Sequence, residues 1–181
     1  MPSHNLKLSY ISILFVSLVF ITVFSAIPSS YADRVITLQK VSDVTKDSLL
    51  STISDVSKYP QIFPDNVKSI RILDNSTKLV EIKAGINGIF FDTQAICKTN
   101  TDGNYVIEVI SGDLKGTTMT TKLEKTLGFH GQKDGGTRAN IVLDLRTSGF
   151  ISWVIGFVPD SSLTDALGYG YDKFVQHIKE P

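Results

Sequence analysis

Few residues in this chain have the types and spacing that chemistry needs. Catalysis requires a nucleophile beside a base, a converging acid/base pair, or a metal held by three or four ligands. The carboxylates on strand-like stretches are Asp92, Glu108 and Asp144. Asp144 alternates with apolar neighbours and is expected to face solvent. Glu108 shares the face of Val106 and Ile110, not that of Tyr105. If that face turns inward, Glu108 is an acid inside an apolar cavity, as a cyclase or hydrolase-like enzyme would need. If it turns outward, Glu108 is an ordinary strand carboxylate beside a lysine. His130 falls in the polar loop from Gly128 to Gly136 and reads as solvated. His177 falls in the last turn of the last helical pattern, where an imidazole complements the helix dipole. Cys97 and these histidines show no ligand spacing, so no metal is expected, and Cys97 reads as a small apolar residue. No nucleophile elbow, phosphate loop or dinucleotide fingerprint occurs. These absences favour a protein that binds without catalysis and carries no cofactor.

The elements that would position such residues are mostly strands. Arg34 to Val41 reads as the first. Thr45 is an N-cap candidate for a helix whose Leu49, Leu50, Ile53 and Val56 share one face. Pro60 and Pro64 are expected to stop that helix. Val67 to Leu73, then Val80, Ile82 and Ala84 alternating with Glu81 and Lys83, then Ile89 to Lys98, read as successive strands. Asp102-Gly103 signals a hairpin leading into Tyr105 to Ile110. Thr117 to Leu127 and Ala139 to Arg146 complete an antiparallel meander, with a turn at Asp134-Gly135-Gly136 between them. A last helix starts near Ser161 or Ser162 and carries Leu163, Leu167, Tyr171, Phe174 and Ile178 along one stripe. Gly168 and Gly170 within it are either tolerated or let the backbone approach the sheet. Thr147 to Asp160 is an unusually apolar connection containing Trp153, the chain's only tryptophan. It reads either as a buried extension of the flanking elements, or as a lid over a cavity mouth or a membrane-touching patch.

Residues 1–32 read as a segment apart from the fold. Leu8 to Ile27 carries no charge and is long enough to cross a bilayer. Ser30 and Ala32 fit a signal-peptidase site after Pro28. The segment is therefore a cleaved signal peptide or an uncleaved membrane anchor, and either places the remainder outside the cytoplasm. Residues 33–181 suit one domain with its own core. The chain balances 18 basic against 18 acidic residues with no basic patch, which argues against a nucleic-acid partner. A lone cysteine excludes an intrachain disulfide. Asn75-Ser76-Thr77 is an N-glycosylation sequon in such an exported chain.

The stretch Thr45 to Pro64 carries the most specific pattern: Asp55-Val56, two residues, Tyr59-Pro60, then Phe63-Pro64. With the strands that follow and the closing helix, it resembles the START-like (SRPBCC) superfamily, in particular its polyketide cyclase and coenzyme Q-binding branch. The resemblance implies an α+β helix-grip fold, a curved antiparallel sheet wrapped around a long C-terminal helix. It also implies binding of a lipid-like or quinone-like apolar molecule between sheet and helix. The expected lining is Ile82, Phe90, Tyr105, Ile107, Met119, Leu123, Trp153, Leu167 and Tyr171. The alternatives are an enzyme using Glu108, or an interaction module whose core is simply filled. Expected partners are an apolar small molecule and, through an uncleaved N-terminal segment, a membrane.

Overall fold

The structure, a computed structural model, describes residues 33–86, 89–126 and 135–180. The N-terminal segment and the loop holding His130 lie outside the described residues. Seven antiparallel strands form one sheet in the order β1-β7-β6-β5-β4-β3-β2. They are β1 (Arg34–Ser42), β2 (Val67–Asp74), β3 (Leu79–Ile86), β4 (Ile89–Thr99), β5 (Tyr105–Val109), β6 (Thr118–Thr126) and β7 (Gly136–Leu145). Between β1 and β2 come α1 (Lys46–Ser54), a 3₁₀ turn (Val56–Lys58) and the short α2 (Tyr59–Ile62). After β7 come α3 (Gly149–Gly156) and the long α4 (Asp160–Lys179). This is the expected α+β helix-grip arrangement. No helix among the described residues is long and apolar enough to cross a membrane.

The Thr45 hydroxyl accepts a hydrogen bond from the Ser48 N–H at 3.2 Å and so caps α1. That helix buries Leu49 and Ile53. It ends at Asp55, before Pro60, not at it as expected. Pro60 instead sits in the first turn of α2, where a missing N–H leaves no helical bond unmade. The Tyr59 hydroxyl donates to the Ile53 carbonyl at 2.6 Å. That carbonyl is one of the last four of α1, which have no partner within the helix. The Asp-Val-x-x-Tyr-Pro pattern is therefore a helix-ending device. Its tyrosine closes the end of one helix while its proline opens the next.

Strand register fixes which side chains face the helices. Val80, Ile82 and Ala84 oppose Ala95, Thr93 and Phe91, while Tyr105, Ile107 and Val109 join them through Thr99, Cys97 and Ala95. Met119, Thr121 and Leu123 on β6 continue this inner face toward Leu143, Ile141 and Ala139 on β7. α4 crosses it. The Tyr171 hydroxyl donates to Ser42 at 2.7 Å, Lys40 pairs with Asp172 at 2.9 Å, and Lys179 pairs with Asp43 at 2.7 Å. Gly168 is buried, and a Cβ there would lie 3.4 Å from the Lys40 side chain, so its bareness lets the helix approach β1. Gly170 meets nothing within 4 Å and is merely tolerated.

Candidate functional site

The space between sheet and α4 has two ends of different character. One end is packed solid. Leu49, Ile53, Tyr59, Tyr105, Leu123, Tyr171 and Phe174 are all buried there. Tyr59, Phe63 and Phe174 meet edge to face with ring centroids 5.0–5.9 Å apart. Among the described residues the buried Tyr105 hydroxyl has no partner at good hydrogen-bonding geometry, only the Tyr59 hydroxyl and the Cys97 thiol close by. Burial, reinforced by the neighbouring Tyr59 and Cys97, pushes the Tyr105 pKa far above the usual phenol value. Burial likewise raises the Tyr59 hydroxyl and the Cys97 thiol.

The other end is open. Leu38, Ile82, Ile107 and Met119 on the inner face, and Leu167 on α4, pack against the core but stay only partly buried. Side chains of this kind close up when protein atoms fill the space beside them. A hollow of about 240 Å³ lies among Phe91, Asp92, Thr93, Asp113, Leu114 and Ile151. α3 forms its outer wall and is fastened there by Asp113. The Ser148 N–H donates to the Asp113 carbonyl at 2.7 Å, and the Ile151 N–H approaches the Asp113 carboxylate at 3.5 Å. Gly149 (φ +57°) makes this contact possible, since a Cβ would lie 2.8 Å from that carboxylate. At the far end, the Arg34 guanidinium donates to the carbonyls of Ile155, Gly156 and Val158. A second hollow of about 150 Å³ lies among Asp55, Val56, Ile72, Val80 and Cys97.

The structure divides the residues expected to line the cavity. Ile82, Ile107, Met119 and Leu167 stay only partly buried where they pack against the core, a stretch termed the trough. Tyr105, Leu123 and Tyr171 belong to the packed end instead. Phe90 is on the opposite side of the sheet, because it pairs with Gly85 while Phe91 pairs with Ala84. Its ring lies 5.1 Å from the Lys68 ammonium. Trp153 is 55% exposed, on the outer side of α3. The apolar connection is thus neither a strand extension nor the start of α4, but a separate helix over the rim. Phe91, Thr93, Leu114 and Ile151 were missed. Phe91 was recoverable: Asp92 and Gln94 are polar and alternate with Thr93, Ala95 and Cys97, which assigns Phe90 to the polar face. Nothing local in the sequence brings Leu114 beside Ile151.

Of the two readings of Glu108, the register selects the outward one. It pairs with Ile96 and Thr118 while Ile107 faces the core, so alternation turns it to the outer face. Among the described residues, no three His, Cys, Asp or Glu side chains gather as a metal site. Asn75 of the sequon is exposed in the β2–β3 turn. Two carboxylates, Asp92 and Asp113, line the hollow, and Asp92 also lies 3.9 Å from the Lys83 ammonium. The Thr93 hydroxyl is committed to the Ser111 carbonyl at 2.8 Å, and Asp113 is engaged with α3.

No protein-family model matches the sequence, and no curated protein is similar to it. Solved structures do match. A START superfamily protein from Mycobacterium smegmatis shares 14% identity at a TM-score of 0.58, over 78% of this chain and 92% of its own. The Zhui aromatase/cyclase from Streptomyces sp. R1128 shares 13% identity at 0.59, over 81% of this chain and 93% of its own. A norcoclaurine synthase from Thalictrum shares 9% identity at 0.55, over 80% of this chain and 96% of its own. At these identities the likeness establishes the fold, and that fold is START-like.

Proposed function

We propose that this START-like domain binds a small apolar molecule, lipid-like or quinone-like, between the sheet and α4 and does not transform it. One observation carries the reading: inner-face Leu38, Ile82, Ile107 and Met119 remain partly open although α4 crosses the sheet. Apolar walls with few polar groups hold a guest through area removed from water, about 25 cal/mol per Å². The fold is shared with aromatase/cyclases and synthases. Catalysis would need a free acid or base at the site, whereas Glu108 faces away from the inner side, Asp113 is engaged with α3 and Asp92 lies beside Lys83. The uncharged run before Asp33 supports a domain exported from the cytoplasm or tethered outside it.

Native mass spectrometry of the protein purified from membranes tests the proposal. An apolar molecule should accompany the wild type and be missing from Ile107→Trp, whose indole would occupy the trough. The Trp variant should keep its stability, because it fills space that was open. An empty wild type, together with a strongly destabilised Trp variant, would refute the proposal.

A further inference from the structure

From Thr147 to Pro159 the chain carries no charged residue. α3 turns Ile151 toward the hollow and presents Phe150, Trp153 and Phe157 outward, 58%, 55% and 74% exposed. Spacings of three and four place the three aromatics on one helical side. Their rings form a continuous ridge, with centroids 6.0 Å apart from Phe150 to Trp153 and 5.4 Å from Trp153 to Phe157. Contiguous exposed apolar surface of this kind marks a contact site.

The path of the chain indicates what covers the ridge. Arg34 opens β1, and its guanidinium holds the last carbonyls of α3. The ridge therefore ends one side chain away from the point where the chain enters the domain. Upstream, the apolar run ends at Ile27, and the five uncharged residues Pro28 to Ala32 separate it from Asp33. Five residues span at most about 18 Å when extended. A twenty-residue run without charge is one that partitions into hydrocarbon, and in sequence it lies shortly before Arg34.

We propose that the Phe150, Trp153 and Phe157 ridge of α3 docks into the interfacial zone of a lipid bilayer. Aromatic rings, tryptophan above all, suit that zone, and the uncharged helix makes the contact through apolar area rather than attraction to anionic lipid. The ridge faces away from the hollow, so the docking stands whether or not a guest is held.

Trp153 is the chain's only tryptophan and reports on the ridge directly. The test uses the full chain reconstituted in phosphatidylcholine vesicles, some of whose lipid carries a spin label near the glycerol end of the acyl chain. Blue-shifted emission, loss of acrylamide quenching and quenching by the labelled lipid are expected. In Phe150→Ser/Phe157→Ser, acrylamide should regain access while the circular dichroism stays unchanged. Water-like emission open to acrylamide in the wild type would overturn the proposal. Protection from acrylamide without lipid quenching would also overturn it, because a second copy or another part of this chain would then cover the ridge. So would a double variant whose Trp153 stays lipid-quenched, since the N-terminal run alone would then account for the proximity.

Discussion

Truncating one leucine at each end of the grip should separate a packed core from an open one. Leu123 is 5% exposed at the packed end, whereas Leu167 borders the trough and stays partly open. Leu→Ala removes three carbons, about 2.4 kcal/mol of transfer free energy at about 0.8 kcal/mol per buried methylene. At Leu123 a closed void would be left as well, bringing the loss to about 3 kcal/mol. At Leu167 the adjoining space is already open, so no new void forms and the incomplete burial lowers the transfer loss to about 1 kcal/mol. A domain of this size shifts in Tm by about 3 °C per kcal/mol, so Leu123→Ala should melt about 9 °C lower and Leu167→Ala about 3 °C lower. Urea and thermal denaturation, followed by circular dichroism, measure both. Equal losses at the two positions would mean that the trough is filled by the protein's own side chains, and the binding proposal would fall with it.

Other outcomes follow from the same geometry. Tyr105→Phe removes a buried hydroxyl that has no well-formed hydrogen bond among the described residues and should stabilise the domain by up to about 1 kcal/mol near neutral pH, read by urea denaturation. Tyr59→Phe, which frees the Ile53 carbonyl, should destabilise it by a similar amount. The raised Tyr59, Tyr105 and Tyr171 hydroxyls keep their protons in the folded state while the unfolded chain releases them. Their stabilising effect is complete below the unfolded phenol pKa of about 10 and is lost as pH rises beyond it, so the wild type should unfold in alkali and Tyr105→Phe at higher pH. The Cys97 thiol, buried and shifted upward, should react with an aromatic disulfide reagent at least about tenfold more slowly in the folded protein than in urea. Gly149→Ala forces a Cβ against Asp113 at a positive φ and should cost about 1–2 kcal/mol, with the Trp153 emission changing before the sheet melts.

The meander was legible because its strands alternate strictly, with Glu81 and Lys83 outward and Val80 and Ile82 inward. The caps were legible too, since Thr45 uses local chemistry. Pro60 was misread because proline ends one helix and begins another with equal ease, and only the Tyr59 hydroxyl, bonded six residues back, decides between them. The uniformly apolar run of α3 has no period from which its inward side could be read, so Trp153 was assigned to the cavity when Ile151 faces it. The division of the trough from the packed end was also hidden. Ile107 and Tyr105 look alike as strand residues, and their different burial depends on where Phe174 and Tyr171 of α4 come to rest. Alternation is enough to put Ile82, Ile107 and Met119 on the inner face, whereas a loop residue such as Leu114 carries no such signal.

The strand order has a consequence for how the molecule is made. β1 bonds only to β7, joining Arg34 to Leu145 and Ser42 to Thr137 across most of the domain's length. The first strand to leave the ribosome thus waits for the last before any of its backbone groups are paired. Contacts so distant along the chain slow folding and prolong the exposure of an unpaired edge. Shortening the sequence from its C-terminus past β7 should therefore leave β1 without a mate, and nascent chains arrested there should self-associate.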